Sequence, residues 1–119
     1  MEIQIFGTRK NPVTRAALRF FAERRVKTHF VDLDVRGASL GELKRFAQKF
    51  GVTALVDRES RRFRDLGLGA ARLSDERWLD KLVDEPGLLT QPLVRFQQRL
   101  TVGAAEAEWK RWVDSGKAR

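Results

Sequence analysis

The 119-residue chain has no cysteine, one histidine and one methionine. The missing thiol excludes disulfides, thiolate metal sites and cysteine nucleophiles in any compartment. His29 has neither a second histidine nor a cysteine with which to share a metal, so a strand histidine facing solvent or a neighbour is its expected state. With Met1 the sole methionine, there is no methionine-rich binding face. No apolar run approaches the ~20 residues of a membrane-spanning helix. Met1 is followed at once by a charged residue and a short strand, with no secretory signal visible, so the cytoplasm is the default expectation. Internal repeats and dividing linkers are absent too, and no Lys/Arg run extends beyond two or three residues.

What is present is an ordinary globular composition with a strong positive balance. A 42% hydrophobic content over 119 residues suffices for one domain with a modest core and no staples. The net charge of +8 attracts acidic partners, nucleic acid included, at the non-specific level. The basic residues are scattered from Arg9 to Arg119 and interleaved with acids, without an aromatic-interleaved RNA-binding signature. A solvated basic surface explains that pattern better than a nucleic-acid site does.

The organising stretch is IQIFGTRKNPVTRAALRFF near the N-terminus. Ile3 to Phe6 reads as a strand, and Asn11 followed by Pro12 reads as an N-cap and first helical residue. Val13, Ala16, Ala17, Phe20 and Phe21 recur at helical spacing and are expected to face inward, with Arg15, Arg19 and Glu23 on the other side. The helix is expected to fray at Arg24–Arg25. A second strand over about Thr28–Leu33 completes a βαβ unit with parallel strands. Ser39 and Glu42 form a capping box for a helix reaching Phe50, ended by Gly51.

Further along, Val52–Val56 is short and apolar, and residues 57–62 read as a polar loop. Phe63, Leu66 and Leu68 anchor a short helical turn, and Ser74 caps a helix with Trp78, Leu79, Leu82 and Val83 on its apolar face. Pro86 and Gly87 stop that helix. Residues 88–94 then lead into a strand, Gln97–Gln98 turn a hairpin, and Leu100–Val102 return. A last helix is expected over Ala104–Val113 with Trp109 and Trp112, followed by a frayed tail from Ser115 to Arg119. The order β-α-β, three helices, β-β-α predicts an α/β protein with a four-stranded mixed sheet flanked by helices. That is a thioredoxin-like fold in one domain over residues 1–119, with a helical insertion at about 39–85.

Three stretches carry a resemblance to a known family. The opening stretch resembles a strand–loop–helix bearing a Cys or Cys-x-x-Cys motif and a following basic residue. VDLDVRGASLGELKRF resembles a second strand, an Asp and a Leu-Ser-x-x-Glu-Leu segment. FRDLGLGAARLSDERWLDKLVDEPGLLTQPLVRFQQRLTVG resembles a long signature whose Pro, Leu and Gly spacings coincide, and it is the most specific of the three. Over nearly its full length the chain is similar to the arsenate reductase/Spx-like (ArsC) family of thioredoxin-like folds.

The departures from that pattern are chemical. In register with the family, Asn11 stands at the nucleophilic cysteine and Thr14 at the second position of the Cys-x-x-Cys form. Neither an amide nor an ordinary hydroxyl performs thiol exchange. The arginine expected before the sheet proline is Gln91, the one after the second helix falls at Asp57 or Arg58, and the one in the returning strand is Val102. Arg15 retains the basic residue after the motif. By resemblance, the Gln91–Pro92 bond is expected to be cis.

The resemblance thus implies a family member without thiol reductase activity, acting as a binding or regulatory module with no cofactor and no metal. Regulatory members of the family bind RNA polymerase, and the basic balance suits an acidic protein partner. One alternative is thiol-independent oxyanion binding, in which Arg9, Lys10, Asn11, Thr14, Arg15, Gln91 and Pro92 frame the cleft; simple capping by Asn11 competes with it. Another is an oxidoreductase related to glutaredoxin or arsenate reductase, of unknown substrate. Direct nucleic-acid binding and membrane association are disfavoured.

Overall fold

Alternation of Ile3 and Ile5 with Glu2 and Gln4 gives the start of the first strand one apolar and one polar face. In the computed structural model, which describes residues 1–117, this strand is β1 (Glu2–Gly7). It is followed by α1 (Pro12–Glu23), β2 (Lys27–Asp32), α2 (Leu40–Phe50), α3 (Val52–Leu55), α4 (Arg61–Asp65) and α5 (Asp75–Asp84). The chain then forms β3 (Leu93–Phe96), β4 (Arg99–Val102) and α6 (Glu106–Lys117), with 3-10 turns at Leu68–Ala70 and Pro86–Leu88. Two compact units result, one from Met1–Asp32 with the segment from Gln91 onward, the other from Leu33–Thr90.

The first unit contains a four-stranded mixed sheet of order β2-β1-β3-β4. β1 runs parallel to β2, with Ile5 opposite Phe30, and antiparallel to β3, with Ile5 opposite Val94; β3 and β4 form the expected hairpin. Gln97 takes a left-handed φ of 57° in the hairpin turn. The apolar face carries Ile3, Ile5, Val94 and Phe96, which pack with Ala17, Phe20 and Phe21 of α1 and Trp109, Trp112 and Val113 of α6. Each large side chain buried this way contributes about 1.5–3 kcal/mol. Trp109 lies 5.8 Å from Phe20 and 5.7 Å from Phe21, ring centroid to centroid. Its indole N–H donates to Thr101 Oγ1 at 2.8 Å, so the polar edge of the buried ring is satisfied.

Two expectations for this unit change. The buried face of α1 is Thr14, Ala17, Phe20 and Phe21, whereas Ala16 is exposed and Val13 half-buried. The helix is rotated so that a threonine, not an alanine, completes the inward stripe. The last helix starts two residues later than expected, after Gly103 at φ 73°, and runs past Val113 through Ser115 and Gly116. The apolar signal stops at Val113, but the helix continues on exposed polar residues, with Lys110 and Asp114 paired one turn apart at 3.3 Å. Within the tail expected to fray, Ser115–Lys117 belong to α6, and residues 118–119 lie outside the described residues.

The second unit is helical. Ser39 and Glu42 close the expected capping box on α2, and Gly51 ends that helix at φ 83°. Arg36 holds Glu42 at 3.0 Å, and this hydrogen bond, the largest cause, keeps the Glu42 carboxyl below its ordinary value. Instead of three helices the unit has four. Val52–Leu55 closes into a helical turn, and α4 begins inside what reads as a polar loop. The cause is a cap: Ser60 Oγ accepts from the Phe63 N–H at 3.1 Å, and Phe63 is buried. Ser74 caps α5 in the same way, accepting from Arg77 N–H at 3.2 Å. Arg62 grips Glu85 through two bonds of 2.7 and 2.8 Å, joining α4 to the end of α5. Among the described residues, no helix is long and apolar enough to cross a membrane.

Candidate functional site

The turn between β1 and α1 is built almost entirely from its own polar groups. Asn11 is extended at φ −79°, ψ 124°, and its Oδ1 accepts from the backbone N–H of Val13 at 2.9 Å and of Thr14 at 3.0 Å. Pro12, the first helical residue, has no N–H to offer. The Arg15 N–H donates to Asn11 O at 3.0 Å. The donors of the first helical turn are therefore already engaged, and an incoming oxyanion would have to displace the Asn11 amide.

The basic residues divide into two groups. Arg15 turns back on the loop, its Nη1 donating to the carbonyls of Arg9 at 3.0 Å and Lys10 at 2.9 Å. It fastens the turn. Arg9 and Lys10 are exposed, and the Arg9 guanidinium lies 4.7 Å from the centroid of the Phe30 ring on β2. That geometry is a cation–π contact, which orients the group while leaving its edge in water.

Behind the turn, Gln91 is the common acceptor. Its Oε1 receives the Thr8 backbone N–H at 2.6 Å, the Thr8 hydroxyl at 3.2 Å and the Thr14 hydroxyl at 3.1 Å. Thr14 is fully buried, so Gln91 satisfies a hydroxyl that water cannot reach. The Gln91–Pro92 bond is cis, as the resemblance implies, and Pro92 is buried with its carbonyl accepting from Gly103 N–H at 2.9 Å. Gly7 completes the arrangement. A Cβ there would stand 2.4 Å from Thr14 Oγ1 and 2.7 Å from Thr14 Cγ2.

The structure thus brings Thr14 and Gln91 into contact and sets Arg9, Lys10, Asn11 and Arg15 around one turn, with Pro92 following Gln91 directly. Val102 sits on β4 opposite Leu93. Asp57 and Arg58 lie in the other unit, where Asp57 Oδ1 accepts from Glu59 N–H at 3.0 Å and Arg58 stands 5.6 Å from the Phe63 ring centroid. Two participants escaped the sequence reading, Gly7 and Thr8. Gly7's role depends on Thr14 facing inward, where the apolar spacing of α1 had pointed to Ala16, and Thr8's role depends on the distant acceptor Gln91. His29 is exposed on β2, and no group of three or more His, Cys, Asp or Glu side chains is placed to hold a metal among the described residues.

This geometry can position a loop and present two cations; it offers no free cradle of N–H groups and no nucleophile of low pKa. Set beside known proteins, the chain is 29% identical over 105 residues to an arsenate reductase of Neisseria meningitidis serogroup A, covering 86% of this chain and 90% of the relative. It superimposes on an arsenate reductase from Vibrio cholerae with a TM-score of 0.80 at 22% identity, over 93% of this chain and 97% of the other. An arsenate reductase (ArsC) related protein from Brucella melitensis matches with a TM-score of 0.69 at 18% identity, over 94% of each chain. The ArsC family model matches residues 6–112, and the chain belongs to the ArsC family.

Proposed function

We propose that this ArsC-family chain has no thiol reductase activity and serves as a binding or regulatory module, with the β1–α1 turn presenting Arg9 and Lys10 to an acidic protein partner. The observation that carries this reading is the side chain of Asn11, which caps α1 at 2.9 and 3.0 Å; by the resemblance, the family's cysteine falls at this residue. Arsenate attack and thiol exchange both need a thiolate, and an amide whose oxygen is held by two N–H groups supplies neither nucleophile nor redox couple. Arg15 Nη1 holds its own loop and Gln91 Oε1 receives the Thr8 and Thr14 donors, so both side chains are partly committed within the turn. Arg9 and Lys10 remain outward, and their charge suits an acidic surface.

A thiol-coupled arsenate reduction assay on the full chain is expected to give no turnover above the blank. Turnover above it would overturn the reading. For the partner, the family's regulatory members suggest RNA polymerase, and co-purification with its subunits at low salt is expected to be lost in Arg9→Gln/Lys10→Gln. Failure to recover any polymerase subunit with the wild-type chain would remove that partner.

A further inference from the structure

The sheet of the first unit has a second face, turned away from α1 and α6, and its character changes within one pleat. The row Val31, Phe6, Leu93 is apolar and buried. The next row on the same face is polar: His29, Gln4 and Arg95 stand side by side, Gln4 paired with His29 on β2 and with Arg95 on β3. Strands lie about 4.8 Å apart, so His29 and Arg95 bracket Gln4 across roughly 10 Å of backbone. These residues, with Glu2 and Gln97, line an open cavity of about 260 Å³.

Several features point this row toward a ligand. The Arg95 Nε donates to Gln97 O at 2.7 Å, which fixes the guanidinium plane and leaves both terminal nitrogens for another acceptor. Gln97 is held for this role by the left-handed turn, at φ 57°. The Gln4 amide and the His29 ring have no intramolecular hydrogen-bond partner among the described residues, although Gln4 is half-buried. Glu2, the one acid on the rim, is opposite Lys27 in register and 3.7 Å from its ammonium, which offsets its repulsion toward an anion. Three donors of different type, from three adjacent strands, converge on one cavity.

We propose that this row is a binding site for a small oxyanion, a carboxylate or phosphate group, seated over Gln4 between His29 and Arg95. Arg95 supplies a forked pair of N–H donors, the Gln4 amide a third, and His29 closes the other side. The site lies on β1 toward the end opposite the Thr8 turn, so it is separate from the surface assigned to the acidic partner and is tested separately.

The test is a two-dimensional NMR titration of the full chain with inorganic phosphate and, in a second series, acetate. Saturable shifts confined to Gln4, His29, Arg95 and Gln97, with a dissociation constant in the millimolar range, are expected for at least one of the two. Arg95→Gln should weaken that binding about tenfold or more, and His29→Gln should weaken it without altering the amide spectrum elsewhere. Lys10→Gln should leave it unchanged. Linear, unsaturated shifts spread over all basic residues would mean adventitious ion only and overturn the site, as would an Arg95→Gln variant, shown folded by its spectrum, that binds as tightly as the wild type.

Discussion

The hydroxyl of Thr14 donates to Oε1 of Gln91 across 3.1 Å, joining the buried face of α1 to the residue before the cis proline. The two side chains are complementary to each other: a hydroxyl donor meets an amide acceptor. An arginine at 91 has no acceptor atom and would leave the Thr14 hydroxyl and the Thr8 N–H without this partner.

Gln91→Leu is therefore expected to destabilise the protein by about 1–3 kcal/mol, because a buried hydroxyl and a backbone N–H lose their acceptor together. Urea unfolding would report it as a lower midpoint at unchanged slope. Gln91→Arg should be at least as damaging, and an unchanged midpoint in both variants would contradict the assignment.

Gly7→Ala tests the same knot from the other side. The added Cβ meets Thr14 Oγ1 at 2.4 Å, and neither the helix nor the strand can easily withdraw, so a loss of about 1–3 kcal/mol is expected. Thr14→Ala removes both of the closest atoms. The double variant should recover part of the loss, giving a coupling of about 0.5–3 kcal/mol in a double-mutant cycle. Strict additivity would show that the close approach is not what constrains residue 7.

Asn11 permits a paired comparison. Asn11→Ala removes the cap and should cost about 0.5–2 kcal/mol. Asn11→Cys places a thiol at a helix N-terminus, where the thiolate is favoured, so alkylation at neutral pH should be faster than for a free cysteine. Arsenate turnover should stay at the blank, because Gln91 and Val102 still stand where the family's oxyanion arginines are expected. Reductase activity in this single variant would mean that the thiol was the only missing part.

Glu42 gives a pH dependence of defined sign. The Arg36 hydrogen bond lowers its folded-state pKa, so its contribution is present above the unfolded carboxylate value and lost as pH falls through the folded one. Glu42→Gln keeps a group able to bond the Ser39 N–H but removes the charge. Its stability should vary less than that of the wild type between about pH 6 and pH 2, measured as the urea midpoint against pH. Parallel curves would show that Glu42 does not carry this part of the acid response.

Local signals in the sequence proved readable where each was complete within a few residues. Asn11–Pro12, the Ser39–Glu42 box and the Gln97–Gln98 turn all take the expected form. Ser60 was a weaker signal, since α4 is five residues long and has a single buried anchor in Phe63, too little to show a helical period. The rotation of α1 was hidden for another reason. Apolar spacing favoured Ala16, but the alternative stripe through Thr14 is stabilised by Gln91, 77 residues away, and no pattern within the helix reports that partner. The family resemblance pointed to the cis proline after Gln91; that Gln91 holds Thr8 and Thr14 beside it could be seen only in three dimensions.

The sheet order β2-β1-β3-β4 also has a consequence for synthesis. β1 and β2 can pair soon after they leave the ribosome, but the other edge of β1 waits for β3, which arrives only after the whole 33–90 unit has been made. Until then the apolar segment Ile3–Phe6 is an open strand edge, the kind of template on which nascent chains associate wrongly. The intervening unit imposes this delay while costing little at equilibrium, since each doubling of a closing loop adds only about 0.6 kcal/mol. In the finished sheet that edge of β1 is covered by β3, so this particular exposure belongs to the interval before residues 93–96 are made.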